Sequence, residues 1–194
     1  MFLLFRNIKF GNRDIYIRLY KSYILPLLEY AVQVWSPSLK RDIAVLERVQ
    51  KTFTRILYYK VFPNKNYPHA LPGYEIRLQC FDLHTLYYRR IFADLVLAFR
   101  ILRLETRLRP SAFWVWKPCY GRVGAFNFHY HSCNRCRCKK SLFDTSFFVR
   151  SAKLLQMLPP KLTAASDGEC FKRRLKSCNI LMLLNLDDLG LRVQ

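Results

Sequence analysis

The chain has 194 residues, enough for one domain of ordinary size or two small ones. Apolar types make up 52% of it, so it carries material for a core and is not disordered by composition. Thirty-three Lys and Arg against thirteen Asp and Glu leave a net charge of +20, which repels itself unless an anionic partner is near, and phosphate backbones are the usual such partner.

The positive charge is uneven. Between Thr106 and Phe143 there is no acidic residue, while Arg107, Arg109, Lys117, Arg122, Arg135, Arg137, Lys139 and Lys140 fall in that span. No run approaches the ~18 apolar residues that cross a bilayer, so no membrane role is expected. The opening MFLLF is short and its charges follow it, unlike a secretory leader. Seven cysteines without framework spacing favour a reducing intracellular setting, nucleus or cytoplasm.

In chain order, Arg13 to Trp35 reads as a helix with Tyr16, Leu19, Tyr20, Tyr23, Leu27, Tyr30 and Val34 near helical spacing. Pro26 inside it predicts a kink or break, and Ser36-Pro37-Ser38 closes it and supplies a cap for the next helix. Leu39 to Tyr59 is the cleanest amphipathic pattern: Leu39, Ile43, Leu46, Val49, Phe53, Ile56 and Leu57 share one side, and Arg41, Arg48, Lys51 and Arg55 gather opposite.

Pro63 to Gly73, with three prolines, is a connection, and Glu75 to Cys80 a short helix. Leu83 to Leu104 is predicted as a long, mostly apolar helix with Arg89, Arg100, Arg103 and Arg107 projecting along one line, and Arg90 paired with Asp94 one turn on. Past Pro110, FWVWKPCYGRVGAFNFHYH has no helical period and suggests short strands or irregular structure. Ser146 to Leu158 returns to helix, Pro159-Pro160 stops it, and Ser166 or Asp167 caps a last helix through about Ser177. The expected fold is mainly α, a bundle of about five to six helices with a small irregular or β segment around residues 112–140. Its expected regions are a helical part at 1–109, a basic aromatic and Cys-rich connection at 110–145, and a helical end at 146–194.

The segment LYKSYILPLLEYAVQVWSPSLKRDIAVLERVQKTFTRIL carries Ser22, Pro26, Leu28-Glu29-Tyr30, Trp35-Ser36-Pro37, Asp42-Ile43 and Leu46-Glu47-Arg48-Val49-Gln50 in order. It closely resembles the segment after the catalytic palm in LINE-type non-LTR retrotransposon reverse transcriptases. Tyr74 to Leu104 is similar to that family's Tyr-Glu-x-Arg-Leu and Arg-Arg-x-x-x-Asp-Leu helices, and SFFVRSAKLLQMLPPKL with CFKRRL to its ending. The resemblance runs with gaps from about Asp14 to Cys178. Leu155-Gln156 departs from the family's Trp-Asn, and Gly121 to Lys140 matches loosely.

The resemblance implies a thumb and post-thumb region that grips a template–primer duplex, RNA or RNA/DNA, by its backbone. A palm-containing polypeptide is the implied second partner, since the first helix packs against the palm in that family. The helix cations Arg41, Arg48, Lys51, Arg55, Arg89, Arg100, Arg103 and Arg107 are the candidate phosphate contacts, with Arg48, Lys51 and Arg55 roughly one turn apart, and they read little sequence. The alternative for these is a plain solvated face. Phe113, Trp114, Trp116, Tyr120, Phe126, Phe128 and Tyr130 are candidate stacking platforms for unpaired bases, with core packing the favoured reading.

Catalysis is not expected. Nucleotide addition needs two metal ions on positioned carboxylates. The one adjacent acidic pair, Asp187-Asp188, comes after the C-terminal elements and lacks a partner in a recognisable setting. Gly121-x-x-Gly124 is no phosphate loop, and the four histidines have no nucleophile at a recognised spacing. One cluster, HYHSCNRCRC, brings His131, Cys133, Cys136 and Cys138 together with a Cys-x2-Cys spacing suited to zinc. A short loop wraps a tetrahedron poorly unless Cys119 or Cys80 assists, so free thiols in a basic loop are favoured, and no cofactor other than zinc is implied. Two other readings stand beside the reverse-transcriptase fragment: a stand-alone RNA- or protein-interaction module derived from a retroelement, and a decayed open reading frame of the kind a truncated insertion gives.

Overall fold

The computed structural model describes residues 6, 12–62, 71–118, 126–130, 142–184 and 186, and the chain is mainly helical. It divides into two compact units, Met1–Val32 with Pro37–Arg89, and Gln33–Ser36 with Arg90–Gln194.

The first unit opens with α1 (Arg13–Leu19), which runs through a π-helical turn at Tyr20–Ile24 into α2 (Leu25–Glu29). Pro26 explains the wide turn. It has no N–H to give, and its ring would collide with the carbonyl four residues back, so the ladder slips to an i→i−5 bond from the Leu25 amide to the Tyr20 carbonyl. Ala31, at φ 48°, then breaks the helix before α3 (Val32–Trp35). The helix read between Arg13 and Trp35, with a kink or break expected at Pro26, is therefore a chain of short pieces.

The amphipathic segment forms α4 (Lys40–Val61), the longest helix among the described residues. Its N-cap is Leu39 with no side-chain cap bond, so the Ser36-Pro37-Ser38 cap read from the sequence is not used. Beyond residues 63–70, α5 (Tyr74–Cys80) ends with Asp82 at φ 50°, the Leu83 amide reaching back to the Leu78 carbonyl at 3.0 Å. The core of this unit joins Tyr16, Tyr20 and Leu25 to Phe53 and Leu57 of α4 and to Leu78 and Phe81. Tyr20 stacks on Phe53 with ring centroids 4.1 Å apart.

The long apolar helix α6 spans Leu86–Leu102, and the division between units falls within it. It stops two residues earlier than its sequence pattern implies. Leu104 adopts φ 60°, the Leu104 amide bonds the Ile101 carbonyl and the Glu105 amide bonds the Arg100 carbonyl at 2.9 Å, which is a Schellman ending without the usual glycine.

In the second unit a two-stranded antiparallel hairpin, β1 (Trp114–Pro118) and β2 (Phe126–Tyr130), pairs Trp114 with Tyr130, Trp116 with Phe128 and Pro118 with Phe126. Helices α7 (Phe147–Met157), α8 (Pro160–Thr163), α9 (Gly168–Lys176) and α10 (Ile180–Leu183) complete it. Asp167 caps α9, accepting from the Cys170 amide at 2.6 Å, one of the two residues expected to do so. Trp114 is buried and donates from its indole to the Phe148 carbonyl at 2.8 Å, Phe113 stacks on Phe148, and Phe99 stacks on Phe171. Trp114 is thus core, in line with the favoured reading of the aromatics.

Candidate nucleic-acid interface

Helix α4 separates its residues by side. Ile43, Phe53 and Leu57 are buried, and so are three polar residues: Glu47, Gln50 and Thr54. Glu47 is 1% exposed and Gln50 fully enclosed, so their polar atoms need partners. Tyr20 donates to Gln50 Oε1 at 2.9 Å, Gln50 Nε2 donates to the Tyr74 hydroxyl at 3.0 Å and to the His84 carbonyl at 2.8 Å, and Tyr74 donates to Glu47. The Leu86 amide donates to both Glu47 oxygens, at 3.2 and 3.1 Å. Glu47 thereby places a carboxylate on the first amide of α6, where the helix dipole favours negative charge. Burial first, then the Glu47 charge, pushes the Tyr74 and Tyr20 phenols up. Glu47 and Gln50 of the Leu-Glu-Arg-Val-Gln motif are therefore structural.

With the inward side occupied in this way, the basic residues face outward. At ~100° per residue, Arg41, Arg48, Lys51 and Arg55 fall within about 80° of one another, and Arg48 to Arg55 covers about 10 Å of axis. Arg48 and Arg55 are exposed and Lys51 half-buried. Arg41 is 89% exposed beside Asp42 at 3.7 Å, an exposed pair of little strength. Among the described residues, no ion pair engages Arg48, Lys51 or Arg55. The Lys51 ammonium stands 5.2 Å from the centroid of the Tyr74 ring.

The second expected row is not a row. Arg89 pairs with Glu29, and this hydrogen bond, opposed by burial, pushes its pKa up. Arg100 is held between Glu169 and Glu105. Arg103 donates to the Ala165 carbonyl and lies 5.3 Å from the Phe99 ring centroid. Arg107 is exposed but lies beyond the end of α6, off the line of the others. Internal acceptors brought from distant sequence positions claim these side chains, and the early end of α6 removes the common axis.

The expected Arg90–Asp94 pair is likewise modified. Asp94 is ion-paired with Arg150 of α7 at 2.7 Å, with the Arg90 charge acting on it as well. Arg150 also donates to the Thr145 and Gln33 carbonyls. Burial pushes the Asp94 carboxyl up, and the Arg150 hydrogen bond holds it down.

One cation near the α4 face was missed from sequence. Arg77 of α5 is 6% exposed, its guanidinium 5.7 Å from the Tyr74 ring that also carries Lys51. Its Nε and Nη1 are buried without a hydrogen-bond partner among the described residues. The signal in sequence was an arginine one turn before the end of a short helix otherwise apolar on that side.

The zinc candidates His131, Cys133, Cys136 and Cys138, and Cys119, lie outside the described residues, and Cys80 is exposed. Among the described residues, no group of three or more His, Cys, Asp or Glu could hold a metal ion, and no helix is long and apolar enough to cross a membrane.

No protein-family model matches the chain, and no solved structure matches it. A 57-residue stretch is 39% identical to an uncharacterized protein of Caenorhabditis elegans, covering 29% of this chain and 29% of that protein. The chain thus matches less than a third of that relative's length.

Proposed function

We propose that this chain is a non-catalytic nucleic-acid-binding module of the LINE-type reverse transcriptase kind, corresponding to the thumb and post-thumb region, with α4 as the helix that grips a template–primer backbone. One observation carries the reading: Arg48, Lys51 and Arg55 stand at one-turn intervals on the outer side of a 22-residue helix whose other side is fixed by the core. Charges set this way meet successive phosphates and ignore base identity. The net charge of +20 and the resemblance of residues 19–57 to the post-palm segment of that family support the same reading. The candidate contacts reduce to Arg41, Arg48, Lys51 and Arg55, with Arg107 as an exposed outlier.

A palm-bearing polypeptide is the second proposed partner. Tyr23, Leu27 and Tyr30 are 65%, 78% and 79% exposed, an apolar surface of the sort that a neighbouring domain covers. An intracellular site of action accompanies this reading.

The test is the salt dependence of binding to an RNA/DNA hybrid duplex, measured by fluorescence anisotropy. Replacing Arg48, Lys51 and Arg55 together with Gln is expected to flatten the slope of log affinity against log salt by about three units. A slope that does not change removes the α4 face from the interface and the proposal with it.

A further inference from the structure

The second unit carries exposed positive charge of its own. Helix α9 turns Phe171 and Leu175 inward, and α8 packs against it with Leu162 buried. At ~100° per residue this leaves Arg173 opposite the buried side, with Arg174 and Lys176 on either flank. All three are exposed, as is Lys161 of α8. Arg174 donates from Nη1 to the Lys161 carbonyl at 3.0 Å, which holds its side chain against α8. Its other two guanidinium nitrogens bond nothing among the described residues, and the residue is exposed, so an outside anion can reach them. Between Thr145 and Leu184 the acidic residues are Asp167 and Glu169. Asp167 is engaged by the Cys170 amide and the Ser166 hydroxyl, which hold its carboxyl below the ordinary value, the Arg173 charge adding to them. Glu169 is engaged by Arg100 and Lys172. Among the described residues, no ion pair engages Lys161, Arg173, Arg174 or Lys176. Cations in the last turn of a helix also answer the negative end of its dipole. That accounts for Arg173 and Lys176, but not for Lys161 on another element, nor for the bond that draws Arg174 towards it.

We propose that Lys161 and Arg174, flanked by Arg173 and Lys176, form a second contact surface for a nucleic-acid backbone, carried by the second unit and separate from α4. It shares with the α4 reading the kind of partner and none of its residues. Charge complementarity names the occupant. Exposed cations on two packed elements, with no ion-paired carboxylate among the described residues, suit a chain of phosphates, and the protein as a whole is +20. Arg174, already anchored through one nitrogen, gives up little further freedom on meeting a phosphate, while its remaining N–H groups stay available to it. Contacts of this kind add affinity and salt dependence without sequence preference.

The experiment uses the full 194-residue chain and the same RNA/DNA hybrid duplex. Lys161→Gln combined with Arg174→Gln is expected to weaken binding about tenfold near 100 mM salt and to flatten the salt slope by about two units. Removing two exposed charges from the first unit instead, Arg18→Gln with Lys21→Gln, is expected to change the slope by less than about half a unit. Lys161→Gln alone keeps the carbonyl that Arg174 bonds, so it is expected to unfold at the parent's temperature and to lose about one slope unit. An unchanged slope in that single variant overturns the surface, even where the double variant folds poorly. So does a loss in the Arg18 and Lys21 control as large as that in the double variant, since net charge alone then explains it. Vesicles with about one third phosphatidylserine that bind the parent more tightly than the duplex does, and lose that binding in the double variant, assign the surface to a membrane and overturn the nucleic-acid assignment. Loss of about two slope units in the double variant, with the α4 triple variant at the parent's slope, leaves this surface standing and removes the α4 reading. The reverse result removes this surface alone.

Discussion

Glu47 is the residue on which the first unit's internal order is most exposed to a single change. It is buried, it accepts from Tyr74 and from the Leu86 amide, and its charge sits at the start of a 17-residue helix. In Glu47→Ala the enclosed Leu86 amide loses its acceptor, which costs about 1–3 kcal/mol. Loss of the charge at the helix start adds about 1 kcal/mol, and the space left by the side chain a further fraction. The expected total is about 2–4 kcal/mol. Glu47→Gln keeps an oxygen for Leu86 but offers an amide to a hydroxyl already receiving one from Gln50, so about 1–2 kcal/mol is expected. Urea unfolding monitored by far-ultraviolet circular dichroism reads both. Neither substitution alters the outer side of α4, so Glu47→Gln is expected to bind the hybrid duplex with the parent's salt slope. A loss below about 1 kcal/mol for Glu47→Ala, or equal losses for the two variants, refutes the capping role.

The second unit carries two further expected outcomes. The Asp94 carboxyl is pushed above its ordinary value by burial, so its contribution to stability is fullest below pH 3.8 and falls as pH rises through its folded value. Arg150→Met takes away the partner that holds it down, so the variant is expected to lose about 3–5 kcal/mol at neutral pH and to recover part of it toward about pH 4.5, measured by denaturant titration at both. Gly168→Ala places a methyl 2.5 Å from Glu105 Oε2 and 2.7 Å from Arg100 Cγ, while the Gly168 amide is held by Glu105 at 2.7 Å. A loss of about 1–3 kcal/mol in thermal unfolding is expected, and a neutral result shows that the Arg100–Glu105 pair can step aside.

Periodicity in the sequence located most helices because burial is periodic. Leu39 to Tyr59 and the observed Lys40–Val61 agree since one stripe of apolar residues must face the core. The break at Ala31 gave no such signal: alanine is a good helix former, and its positive φ is imposed by what lies around it. The arginines divide by the same principle. Those on α4 beyond Arg41 stayed clear of described ion pairs, while Arg89 and Arg100 met Glu29 and Glu169, 60 and 69 positions away, a separation no local pattern reports. Glu47 and Gln50 were legible in retrospect, since both interrupt the inward side of an otherwise apolar stripe. Arg77 was legible only in part: its place on the apolar side of a short helix shows in the sequence, whereas its lack of an acceptor does not.

The wide turn at Tyr20–Ile24 makes the length of this region a specification in its own right. The wide turn takes up one residue more than regular winding would, and Tyr16, Ile17, Tyr20 and Leu25 on either side of it all lie in the interior. One more residue between 20 and 24, with no second widened turn to absorb it, would swing everything upstream by about 100°. The two residues of α1 that now point inward would trade places with its wetted side, though no side chain of the core had been altered.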